Sequence, residues 1–86
     1  MREAIDENAL KALIAGRGVS DFLITQDEAS NFVLSVRYTG ATRWLPVRSR
    51  EKNPRTWASA QTVGRYLWRL GVRAYSVELS SEPKLL

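Results

Sequence analysis

The residues able to do chemistry in this chain are concentrated between Arg37 and Arg73. That stretch holds nine of the thirteen Lys and Arg residues against a single acid, Glu51, together with all three tryptophans, Trp44, Trp57 and Trp68. Guanidinium groups fork onto phosphate oxygens or onto guanine O6 and N7, and flat aromatic rings stack on bases or cations. The chemistry on offer is therefore recognition of a polyanion. The flanks of the stretch are net acidic although the whole chain carries +4, so the positive charge is segregated. Crowded cations repel one another unless an anion offsets them, and this favours nucleic acid as the partner.

Other chemistries find fewer residues. The chain has no cysteine and no histidine, which removes disulfides, thiolate nucleophiles, imidazole bases and nearly all zinc and haem sites. Asp27 and Glu28 are adjacent carboxylates without a third acid nearby, and read as loop charge and not as an acid–base pair. Lys11, Lys52 and Lys84 are the available amine bases, and none sits in a catalytic constellation. Neither a phosphate-cradling glycine loop nor a dinucleotide fingerprint occurs. The expectation is a protein that is not an enzyme, with no cofactor, no metal and no small-molecule substrate. The opening M-R-E-A-I-D-E lacks the apolar run of a signal peptide, and no run of eighteen apolar residues occurs, so a cytoplasmic protein with no membrane partner is expected.

The elements that must position these residues follow from apolar periodicity. Ile5, Ala9, Leu10, Leu13 and Ile14 recur at helical spacing over Ala4 to Ala15, with acids in the first turns and Gly16 to Gly18 closing the segment. A strand is expected at Phe22 to Thr25, followed by the polar loop Q-D-E-A-S-N. From Asn31 to Ser49 a hairpin is expected, with Gly40 and Ala41 as a two-residue type II′ loop. That register sets Leu34 opposite Val47 and Val36 opposite Leu45 on an aliphatic face. The other face receives Arg37 opposite Trp44, Ser35 opposite Pro46 and Val33 opposite Arg48. Pro46 cannot donate to a ladder, so its strand is expected either to be an edge or to have its amide side free.

R-E-K-N-P-R-T-W, residues 50–57, has neither period and reads as an exposed basic loop. Ser59 caps a helix over Ala60 to Leu70 with Gly71 as its stop, burying Val63, Leu67 and Leu70 and turning Gln61, Arg65, Trp68 and Arg69 outward. Tyr75, Val77 and Leu79 alternate with Ser76 and Glu78 as a half-buried strand, with the apolar set inward. The fold class expected is α+β, a small, mainly antiparallel sheet with two helices in the order α-β-β-β-α-β. Residues 1–80 form one compact domain and 81–86 a flexible tail.

Residues Pro54 to Leu79, with the basic hairpin before them, resemble a group of short accessory proteins of proteobacterial plasmids and integrative elements, some partition-associated. The shared pattern is a basic hairpin, an aromatic, a Ser-started helix ending in L-G-V and a closing strand. The resemblance implies an accessory role in plasmid maintenance or transcriptional regulation, through DNA binding by a dimer. The residues placed at the nucleic acid are Arg37, Arg43, Trp44, Arg48, Arg50, Lys52 and Arg55, with duplex DNA favoured over RNA because the ribbon lacks paired stacking aromatics. Arg65, Trp68 and Arg69 are placed at a homodimer or partner interface, since aromatics and arginine are enriched there. The alternative is an adaptor that docks through the Trp68 helix while the basic stretch meets an acidic protein surface.

Overall fold

A computed structural model of the chain describes residues 4–80. The expected flexible tail, 81–86, lies outside them. The order is α1 (Glu7–Ala15), β1 (Val19–Gln26), β2 (Phe32–Tyr38), β3 (Trp44–Pro46), α2 (Ala60–Arg69) and β4 (Ser76–Glu78), the α+β arrangement expected. The sheet runs β3-β2-β1-β4, with β1–β2 and β2–β3 antiparallel and β4 parallel to β1. α2 therefore crosses the sheet from one edge to the other, a connection long enough to make β3 and β4 parallel.

The first helix begins later than its apolar period indicates. Asp6 is its N-cap, accepting the Ala9 amide at 2.8 Å. Ile5 lies outside the helix and bridges Val47 in parallel, its amide donating to the Pro46 carbonyl and its carbonyl accepting from the Arg48 amide. The short β3, with a proline that cannot donate, is thus covered along its outer side by one extended residue. β1 is twice the length expected, because it continues through an irregularity between Val19 and Asp21 to pair with Tyr38. The Asp27 carboxylate accepts the Ala29 and Asn31 amides, each at 2.9 Å, so it builds the β1–β2 turn.

The β2–β3 register is the one expected, Ser35 opposite Pro46, Val36 opposite Leu45 and Arg37 opposite Trp44. Its turn differs. Ala41 donates to the Tyr38 carbonyl at 2.9 Å, so Thr39 and Gly40 are the central residues. Gly40, at φ 82°, fills the second central place, where a type II turn needs positive φ. The additional loop residues, 41–43, restore the register that a tight type II′ turn would have given.

Ile24, Leu34, Val36, Leu45 and Val47 occupy one face of the sheet and join Leu10 of α1 and Val63 and Leu67 of α2 in one buried cluster. Both helices accordingly pack on that face. Each fully buried aliphatic side chain contributes ~1.5–3 kcal/mol relative to exposure. Trp57 completes the cluster beside Tyr66, with ring centroids 5.5 Å apart, and its backbone exchanges two hydrogen bonds with Phe32. Leu23, Ser35, Arg37, Trp44 and Pro46 lie on the opposite face, where no helix packs and none of them is fully buried.

One expectation on burial fails. Tyr75, Val77 and Leu79 share the helix side of the sheet, but they remain 43%, 44% and 49% exposed. Their strand is the last of the sheet, and α2 reaches only its start, where Gly64 lies against the Tyr75 hydroxyl.

Candidate nucleic-acid interface

The expected nucleic-acid residues divide into two groups at different places. The first lies on the open sheet face, where Asp21, Arg37 and Trp44 form one row across β1, β2 and β3. The Arg37 guanidinium donates to Asp21 Oδ2 from Nε at 3.1 Å and from Nη2 at 2.8 Å. Its Cζ stands 4.5 Å from the centre of the Trp44 ring. The guanidinium beside Asp21 holds that carboxyl below its ordinary value, with the Ser20 hydroxyl adding to the effect. Arg37 is thereby committed twice within the fold. Arg43 stands exposed in the hairpin loop.

The second group surrounds the start of α1. Asp6, Glu7, Arg48, Arg50 and Arg55 line a groove of about 400 Å³. Arg48, expected to share a face with Arg37 and Trp44, instead turns to Asp6, with Nη2 3.3 Å from Oδ2. The reason is the Ile5 bridge, which carries residue 48 past the sheet and alongside the helix N-cap. Arg55 lies over Trp57 and Tyr66, 4.6 and 5.0 Å from their ring centres, and its Nη1 is 3.9 Å from a Glu7 oxygen. Both ion pairs are long and partly solvated, so each is worth ~0–1 kcal/mol and is open to exchange for a stronger anion.

The loop between them is fixed at both ends. Arg48 donates its amide to Ile5 and Arg55 to Val47, while Ser49 and Lys52 exchange backbone and hydroxyl hydrogen bonds of 2.8 and 3.0 Å. From this frame Arg50 and Lys52 project exposed, without an ion pair among the described residues. The adjacent Tyr66 hydroxyl is buried with no hydrogen-bond partner. Burial pushes it up to about 12; the Glu7 carboxylate, close by but outside hydrogen-bonding geometry, adds to this and Arg55 opposes it.

The α2 residues fall on the outer side as their phase indicates. Ser59 accepts the Thr62 amide at 3.2 Å, and Arg65, Trp68 and Arg69 are all exposed. Trp68 is 62% exposed. Arg73, not among the residues placed at either interface, stacks 3.5 Å over the Trp68 ring and donates to the Trp68 carbonyl at 3.0 Å. Spacing alone could have paired them, because a cation five residues past an exposed ring can fold back once Gly71, at φ 92°, turns the chain.

Among the described residues no three His, Cys, Asp or Glu side chains gather to hold a metal, and no helix is long and apolar enough to cross a membrane. Compared with known proteins, the chain matches no family model, no curated protein and no solved structure.

Proposed function

We propose that this chain is a small, non-enzymatic protein that binds duplex DNA as a homodimer in the cytoplasm. The observation that carries the reading is the pinned loop from Arg48 to Arg55, where Arg50 and Lys52 are uncommitted and Arg48 and Arg55 hold only weak, replaceable ion pairs. A loop whose backbone is already ordered loses little entropy on meeting a phosphate chain. Phosphates reaching Arg48 and Arg55 displace Asp6 and Glu7 and gain charge-assisted hydrogen bonds. Arg37 and Trp44 serve the sheet more than the ligand, because Asp21 already occupies the guanidinium.

A role in plasmid maintenance or transcriptional regulation belongs to this proposal and rests on the sequence resemblance alone. The test is direct binding to a labelled random duplex at low salt, alongside duplex RNA and an acidic polypeptide. Tighter binding to duplex DNA supports the proposal. Failure to bind duplex DNA sinks it, and capture by the acidic polypeptide alone favours an adaptor.

A further inference from the structure

The two edges of the sheet are finished differently. Outside β3 the Ile5 backbone takes up the Pro46 carbonyl and the Arg48 amide. Outside β4 no strand of the described residues pairs, although β4 is joined to β1 along its other side. An uncovered edge presents a row of unpaired amides and carbonyls, which templates another strand. Natural edges are blunted by short length, charge, lysine or proline; β4 is only three residues long and carries Glu78 on its far face, but it has no lysine or proline and no charge on the apolar side.

The apolar side is exposed as well. Tyr75, Val77 and Leu79 project toward the helical layer at the point where it stops. Gly64 of α2 leaves room for Tyr75, since a Cβ there would lie 2.5 Å from its hydroxyl. Trp68 stands one turn further on the same side of the helix, so the patch continues from β4 onto α2.

We infer that β4 pairs with β4 of a second copy, antiparallel about a two-fold axis through Val77, joining two four-stranded sheets into one of eight. This names the interface of the homodimer proposed above and rests on that reading. A second copy fits because the edge is self-complementary in this register. Val77 meets Val77, Tyr75 meets Leu79 and Ser76 meets Glu78, so no like charges stand opposite. The two-fold also brings both Trp68–Arg73 stacks to the same side of the joint, where each ring loses solvent. An 86-residue domain leaves a large share of its surface exposed and gains buried area by such a closed, isologous contact.

The chain lacks cysteine, so a single introduced thiol reports without ambiguity. Wild-type protein is sedimented across a concentration series without DNA, and Val77→Cys and Ala41→Cys are each treated with a short thiol-specific crosslinker. The expected results are a reversible dimer, crosslinking of Val77→Cys to dimer mass, and Ala41→Cys, at the remote hairpin turn, remaining at monomer mass. Val77→Lys sets like charges opposite and raises the dimer dissociation constant at least ~10-fold. If that variant does not fold, the Val77→Cys result decides. A monomer at every concentration overturns the inference, as does a dimer that Val77→Cys does not crosslink. A crosslinked dimer that ignores DNA leaves this interface standing and removes the DNA reading alone.

Discussion

Arg37 and Trp44 face each other across the β2–β3 ladder, guanidinium over indole at 4.5 Å, while Asp21 on the neighbouring strand grips the same guanidinium at 2.8 Å. Three strands are clipped together at one level of the sheet. The consequence is a division of labour among the arginines: this one ties the sheet, and those around the α1 groove remain available.

The clip makes stability depend on acid. The Asp21 carboxyl is held below its ordinary value in the folded chain, so its contribution is present above the unfolded value, ~3.9, and is lost as pH falls through the folded one. Asp21→Asn is expected to lower the urea midpoint at pH 7, and the gap to wild type should narrow toward pH 3. A gap that stays constant between those pH values contradicts the assignment.

Tyr66 gives the opposite sign at the other end of the scale. Its hydroxyl is raised from 10.0 to about 12, so the folded chain keeps the proton after the unfolded chain has lost it. Its contribution is full below pH ~10 and is lost as pH rises through the folded value. Tyr66→Phe should remove that alkaline loss, and at pH 7 it should leave stability unchanged or raised, since the hydroxyl it deletes is buried without a partner. Denaturation midpoints at pH 7 and pH 11 check both points, and an unchanged alkaline loss in the variant counts against them.

The α2 cap is a test of local structure. Ser59 accepts the Thr62 amide through its side chain and shares a hydrogen bond with the Thr62 hydroxyl. Ser59→Ala should cost ~1 kcal/mol of unfolding free energy, within the ~0.5–2 kcal/mol found for such caps. Ser59→Asp should recover most of it, and equal losses in both variants would mean the cap is not what is being measured.

Much of the fold was legible because its signals are local or periodic. Opposing Arg37 to Trp44 followed from keeping Leu34 and Val36 on one face, and the register held even though the chain turns at Thr39 and Gly40. The α2 phase placed Trp68 outside and Val63 inside in the same way. What escaped depends on long-range partners. Arg48 finds Asp6 from 42 residues away, and one residue, Ile5, makes the bridge that brings them together. The grip of Asp21 on Arg37 needs the β1–β2 register, which includes an irregularity at Val19 and Asp21 that no periodicity announces. Alternation in Tyr75, Val77 and Leu79 identified side chains that share a face, but it carries no information on whether a helix reaches over the edge.

The arginines should separate by function when mutated. Arg37→Ala is expected to lower stability, while duplex affinity measured on the folded protein changes less than twofold. The double substitution Arg50→Ala, Lys52→Ala is expected to leave the unfolding midpoint near wild type and to weaken duplex binding uniformly across sequences, as loss of phosphate contacts does. Greater weakening by Arg37→Ala than by the loop pair would transfer the site to the sheet face.

The most direct test of DNA binding through the pinned loop is the salt dependence of duplex affinity in wild type and in the Arg50→Ala, Lys52→Ala variant. Each phosphate contact contributes about −0.9 to the slope of log K against log salt. A steep wild-type slope is expected, and one shallower in the variant by about 1.8 for each protomer engaged, about 3.6 for a dimer with both loops on the duplex. Identical slopes, or no duplex binding by the wild type at low salt, would contradict it.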